Sequence, residues 1–272
     1  MEEFNETESQ ASQEVNEPEP MGHLDKMVGV FSEPGETFNA MSKHDPKTTD
    51  WLLPIVLMIL MTIISIIVSV SNPEIKNEMI KKQTEQMRKQ LDAQVQSGQL
   101  SQDEADKRVE MARGFMGNPV MMTIIPSVAV TIFTFIWFFL FALVGWLIAK
   151  SAFGDQGSYS QAMTALGLPL YISFLAIIVM LILSLVMDKM VTGVSIATIT
   201  GADVHTLSGF IQSKFDIFGI WYYTIVGIAF AKIFKSQSTG KYIGTSIGLW
   251  LAVNFIIFAL ASKFSFFEGW IR

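Results

Sequence analysis

The sequence predicts an all-α polytopic membrane protein: a five-helix transmembrane bundle with an extramembrane helical hairpin between spans 1 and 2. Three observations lead there. Half of the 272 residues are hydrophobic and only 16% are charged, against about 25% charged in ordinary soluble domains. Mean hydropathy is +0.41, and the apolar residues are gathered into runs. Several of these runs reach the roughly 20 residues that a helix needs to cross a hydrocarbon core about 30 Å thick. Between the first two lies a polar stretch with helical periodicity and its own start and stop signals.

The first run, 51–70, carries no charge. The second, 114–149, is also uncharged and longer than one crossing. Pro119 and Pro126 are expected to mark its entry, leaving 126–149 as the crossing. A third runs over 165–187 and a fifth over 242–261. The fourth, 217–231, is short and bounded by Asp216 and Lys232. Its uncharged part has the length of a buried core helix. Its Ile220-Trp221-Tyr222-Tyr223 nevertheless suits a helix entering through the aromatic belt of a membrane.

Residues 1–21 hold Glu2, Glu3, Glu6, Glu8, Glu14, Glu17 and Glu19 with no Lys or Arg. This reads as a disordered acidic tail. It cannot act as the basic n-region of a cleaved signal peptide, so the first span is expected to stay as an anchor. Residues 22–50 read as an interfacial amphipathic segment. Leu24, Met27, Val28 and Phe31 fall at helical spacing; Pro34 opens a second helix, with Phe38 and Met41 on one face. The membrane domain then occupies 51–272 and contains the hairpin insertion, 71–118.

In the hairpin, Ile75, Met79, Met87, Leu91 and Val95 form a helix stripe. Glu78–Lys82 and Glu85–Lys89 are favourable i,i+4 pairs. Ser97-Gly98 stops this helix, and Ser101 with Glu104 three residues on makes a capping box for the next. Ala105, Val109, Ala112 and Met116 follow as the seam of a packed pair. Eight basic and eight acidic residues balance in this stretch, so it offers no phosphate or nucleic-acid site. The connection 187–214 is left open between a short β-like loop and a re-entrant segment.

The chemistry available is sparse. There is no cysteine, hence no disulfide, thiolate metal site or thiol nucleophile. His23, His44 and His205 are far apart and read as isolated polar or interfacial residues. No Asp, Glu, Lys or Arg lies near the centre of a span, which argues against a proton-coupled transporter. There is no Ser/His pair, no His-Glu zinc motif and no carboxylate pair within a span. No enzyme activity, catalytic residue, cofactor-binding residue or metal ligand is therefore expected, and no cofactor. A net charge of −6 gives no basic surface for nucleic acid. The partner expected first is the lipid bilayer. Gly244 and Gly248 in the fifth span let helix backbones approach closely, either within the chain or in self-association, and other membrane proteins are further expected partners. Ser127, Thr131 and Thr134 in the second span and Asn254 in the fifth are its few polar groups.

Basic residues divide between two sides. Lys26, Lys43, Lys47, Lys150, Lys232, Lys235 and Lys241 fall on one, the hairpin with Lys189, Lys214, Lys263 and Arg272 on the other. Raw counting favours the second side. The hairpin charges are paired and several lie far from the span ends, however, and the densest short-loop cluster is at 232–241. The N-terminus is accordingly expected in the cytoplasm and the C-terminus outside.

The segment Phe31-Ser32-Glu33-Pro34-Gly35-Glu36-Thr37-Phe38, followed by Trp51-Leu52-Leu53-Pro54, resembles the opening of bacterial members of the Yip (Ypt-interacting protein) domain family. Phe153-Gly154-Asp155-Gln156-Gly157-Ser158-Tyr159 with Gly167-Leu168-Pro169 is similar to that family's loop between spans two and three. The resemblance implies five spans, a cytoplasmic N-terminus and, for a bacterial member, the inner membrane. Two features depart from it: 71–118 is longer than the usual first loop, and the Asp-Leu-Tyr-Gly-Pro motif of eukaryotic trafficking members is absent. Rab-type GTPase binding is therefore not carried over, nor is any functional residue. The expected role is a membrane scaffold, organiser or protein-interaction component. The alternative is a transporter or channel component, with Pro54, Pro126 and Pro169 opening a polar path past Ser127, Thr131 and Asn254.

Overall fold

The computed structural model describes residues 20–261, so nearly all of the acidic tail expected at 1–21 lies outside the described residues. Two short helices come first, α1 (His23–Ser32) and α2 (Pro34–Met41). Pro34 occupies the first position of α2, where a missing N–H leaves no bond unmade. Gly29 faces Thr37 so closely that any Cβ there would overlap its side chain. The apolar stripe of α1 divides. Met27, Phe31 and the fully buried Val30 join the core, while Leu24 and Val28 stay 71% and 57% exposed.

The remaining helices are α3 (Thr49–Ser71), α4 (Pro73–Gln96), α5 (Gln102–Met116), α6 (Pro119–Leu147), α7 (Tyr159–Gly167), α8 (Leu170–Met187), α9 (Ile196–Thr200), α10 (Leu207–Lys214), α11 (Ile217–Ile233) and α12 (Thr239–Ala261). A π-helical turn, Ile148–Ala152, extends α6. Among the described residues, four segments are long and apolar enough to cross a membrane: Thr49–Ser71, Pro119–Ala152, Tyr159–Met187 and Thr239–Ala261. The helix Ile217–Ile233 is apolar but shorter.

Several boundaries differ from those the apolar runs suggest, and each difference has a local cause. α6 starts at Pro119, not Pro126, because the Asn118 side chain accepts the Val120 N–H and caps it there. Pro126 lies inside the helix. α7 starts at Tyr159, six residues before the apolar run, through a capping box between Ser158 and Gln161. The chain then breaks at Leu168-Pro169 before α8. The connection 187–214 holds the short helices α9 and α10, and Ser195 within it makes an isolated antiparallel bridge to Asp216.

α4 and α5 pack on each other through Leu91, Ala105 and Val109, flanked by Met87, Val95 and Leu100. Gly98 takes a φ of 76° between them, a left-handed value that only glycine adopts freely. Both bonds of the Ser101/Glu104 capping box are made. Glu78 and Lys82 pair at 2.8 Å, and Arg88 reaches Asp106 across the two helices at 3.3 Å. Burial pushes the Glu78 carboxyl up, but hydrogen bonds from Lys82 and the Met190 N–H outweigh it and leave it below its usual range.

The main core lies between α2, α3, α6, α7, α8 and α11. α11 contributes much of it, with Ile225, Val226, Ala229, Phe230, Ala231 and Ile233 buried. Gly227 lies against the backbone of Ile243 in α12, and Gly145 of α6 against the Phe230 ring. Contacts tie the helix ends into two groups. At one end the Trp146 indole N–H donates to the Gly157 carbonyl at 2.9 Å, and the Tyr242 hydroxyl donates to Asp155 at 2.6 Å. At the other, Asn72 after α3 donates to Asp188 after α8 at 3.1 Å, and Lys214 of α10 donates to Asn254 of α12 at 2.8 Å.

Candidate functional site

Asp50 stands in the first turn of α3 and is 1% exposed. A carboxylate is favoured there by the partial positive charge of the helix start, yet burial at this depth demands partners. Three neighbours surround it. The Lys26 ammonium donates to its Oδ1 at 2.7 Å. The Lys47 backbone N–H donates to its Oδ2 at 3.3 Å. His23 Nδ1 lies 3.8 Å from Oδ1, beyond hydrogen-bond reach. The other ring nitrogen, Nε2, is 2.6 Å from the Tyr171 hydroxyl at the start of α8.

Helical spacing explains why α1 supplies two of these groups: His23 and Lys26 are three residues apart and share a face. The cluster thus pins α1 to the starts of α3 and α8. Gly167 makes the junction possible. It meets the Trp51 Cα and Cβ at a distance no other residue allows, so the end of α7 closes on the start of α3. Trp51 then stacks on Phe138 at 5.5 Å. Burial lowers the His23 pKa below 6.5; Asp50 opposes this and Lys26 adds to it. The neutral imidazole is favoured, with Nδ1 buried and without a hydrogen-bond partner.

Beside the cluster is a cavity of about 280 Å³, lined by Lys26, Asp50, Lys43, His44, Asp45, Lys47, Gln161 and Thr164, with Met21, Met41 and Ile233 among its apolar walls. The Thr164 hydroxyl is buried and has no hydrogen-bond partner. Basic residues and rings continue around this end. Lys241 sits 3.6 Å from the Phe153 ring centre, and Lys150 sits 5.0 Å from that of Trp146.

Sequence reasoning missed this site. His23 reads as isolated in the sequence, but its partners Tyr171 and Asp50 are 148 and 27 positions away. The available signal was Asp50 itself, an acidic residue abutting an uncharged span with an interfacial helix just upstream. Other singled-out groups are not brought together. Thr131 donates to the Ser127 carbonyl of its own helix at 2.8 Å, and Asn254 pairs with Lys214. Among the described residues, nothing lies within 4 Å of where the Cβ atoms of Gly244 and Gly248 would be. The close approach of α11 and α12 uses Gly227 instead.

A family model described as the Yip1 domain matches residues 28–261. The chain belongs to the Yip1 domain family. Comparison with curated proteins and with solved structures finds no match. With its apolar helices, this Yip1-domain chain is an integral membrane protein. The match begins inside α1 and ends with α12, so Asp50 and Tyr171 fall within the Yip1 domain while His23 and Lys26 lie just before it.

Proposed function

We propose that this Yip1-domain protein is a non-enzymatic membrane scaffold of a bacterial cytoplasmic membrane, presenting α1 and α2 as a fixed platform at the bilayer surface. The observation that carries this reading is the buried Lys26–Asp50 pair. It clamps α1 onto the bundle while Leu24 and Val28 face outward, as an interfacial amphipathic helix requires. A buried ion pair is weak evidence for stability but fixes geometry well.

The platform belongs to a five-crossing topology. α11, at 17 residues, spans about 26 Å, near the lower limit for a crossing. It begins at Asp216, bonded to Val194 in the segment after α8, and ends at Ile233, which lines the cavity at the start of α3. That run supports end-to-end passage. The N-terminal side is cytoplasmic, in keeping with Lys43, Lys47, Lys150, Lys235 and Lys241 near the span ends there. α4 and α5 project as a helical hairpin on the other side. α12 presents Gly244 and Gly248 outward, where a second helix would approach closely.

Two measurements test the scaffold. Proteoliposomes should show no ion or solute flux above that of empty vesicles; flux abolished by Thr131→Val or Asn254→Leu would establish transport instead. An environment-sensitive dye on Leu24→Cys, in a chain without native cysteine, should report burial in the lipid interface. Asp50→Asn should loosen the platform and shift the dye toward water. An unchanged signal in that variant counts against the clamp.

A further inference from the structure

We propose that the cavity beside the Lys26–Asp50 pair binds a phosphate monoanion, supplied by the headgroup of an anionic membrane lipid. Position is the first argument. The cavity opens where α3 begins and α11 ends, alongside α7, with Asp50, Gln161, Thr164 and Ile233 in its walls. In a membrane-spanning bundle this is the level of the lipid headgroups.

Charge is the second. Lys26 and Asp50 neutralise each other at 2.7 Å. Lys43 and Lys47 against Asp45 then leave one net positive charge among the lysine and aspartate residues of the lining. One positive charge matches a phosphodiester, which carries one negative charge, and Asp45 disfavours a dianion. Met21, Met41 and Ile233 give the same cavity an apolar wall suited to the glycerol end of a lipid.

Thr164 is the third and most specific argument. Thr62, Thr131 and Thr224 each donate to the carbonyl four residues back in their own helix. Thr164 does not: the residue lines the cavity and is 2% exposed, and its hydroxyl is buried without a hydrogen-bond partner. A buried hydroxyl left unpaired is costly, and a phosphate oxygen at this position would accept from it. Gln161 adds a donor, since its carbonyl already accepts the Ser158 N–H and its NH₂ remains for the cavity. Charged and neutral donors converging on an oxyanion give charge-assisted bonds, stronger than neutral ones.

The test uses the full chain, delipidated in a neutral detergent, with thermal unfolding followed by tryptophan fluorescence. The probes are dihexanoyl-phosphatidylglycerol, dihexanoyl-phosphatidylcholine and inorganic phosphate. The phosphatidylglycerol should raise the unfolding midpoint saturably, and the phosphatidylcholine, whose ammonium meets Lys43 and Lys47, much less. Lys43→Gln with Lys47→Gln should weaken binding about tenfold. Thr164→Val keeps the side-chain shape and removes the unpaired hydroxyl, so it should fold at least as well without lipid and still bind several-fold more weakly. A saturating effect of inorganic phosphate that blocks the lipid would keep the anion chemistry and assign its source to free phosphate. Equal shifts in all three proteins, or equal shifts from the two lipids, would overturn the site. Lipid capture rests on the membrane-organiser reading for its location only: flux in proteoliposomes defeats the scaffold without touching these titrations.

Discussion

Asp50 gathers its partners from α1 and from the turn before α3, and one of those on α1 is His23. Burial depresses the His23 pKa below 6.5. The unfolded chain takes up a proton near 6.5 that the native ring refuses until lower pH. Stability is therefore full above that value and falls as pH drops from it toward the depressed native pKa. His23→Gln keeps a hydrogen-bonding group for Tyr171 and removes the proton. Unfolding midpoints at about pH 7.5 and about pH 5.5, a window above the ordinary carboxylate range, should fall less in this variant than in the wild type; equal falls would place the pH dependence elsewhere. At this scale the sequence discloses little. Lys26 and Asp50 are 24 positions apart, no periodicity crosses the turn between α2 and α3, and a pair made by tertiary contact leaves no local pattern. Pro34 and Ser101, whose effects are confined to one helical turn, were legible.

Helices in this protein are legible where their signals are local, and misjudged where a neighbouring helix decides. The Ser101/Glu104 capping box needs only its own backbone, and both its bonds are present. The glycines are the contrary case: the spacing of Gly244 and Gly248 suggested close packing, but Gly227 provides it against the Ile243 backbone. Gly227→Ala should therefore lower stability in detergent by about 1–3 kcal/mol, the range for forcing a methyl into a filled site. Gly248→Leu should leave the monomer's unfolding midpoint unchanged, since nothing lies within 4 Å; a large loss there would reveal a partner helix. The α4–α5 contact has a separate test. Leu91 is 6% exposed at its centre, and an aspartate there would bury an unpaired charge. Leu91→Asp should open this pair to protease between 75 and 115 while the apolar helices persist, because each holds its backbone bonds internally. Wild-type chain cut at the same rate would mean the pair is not a protected unit.

Whole-molecule topology turns on α11. The other apolar helices exceed the length of a crossing on composition alone, so hydropathy finds them readily. α11 is shorter and packs against α2, α7, α8 and α12. Its ends carry the information its length lacks: Asp216 is tied to the segment after α8, while Phe234 packs on Gly157 before α7. If α11 passes through the bilayer, the two loops flanking it lie on opposite sides. The absence of native cysteine allows single reporters. Asn39→Cys, Gln99→Cys, His205→Cys and Gln237→Cys all occupy exposed positions. A membrane-impermeant thiol reagent added outside sealed cells should label Gln99→Cys and His205→Cys and spare Asn39→Cys and Gln237→Cys until the membrane is opened. His205→Cys and Gln237→Cys labelled from the same side would remove α11 from the crossings and leave four. Labelling of Asn39→Cys and Gln237→Cys alone in intact cells would keep five crossings and invert them, placing the Lys26–Asp50 clamp and its cavity on the outer face.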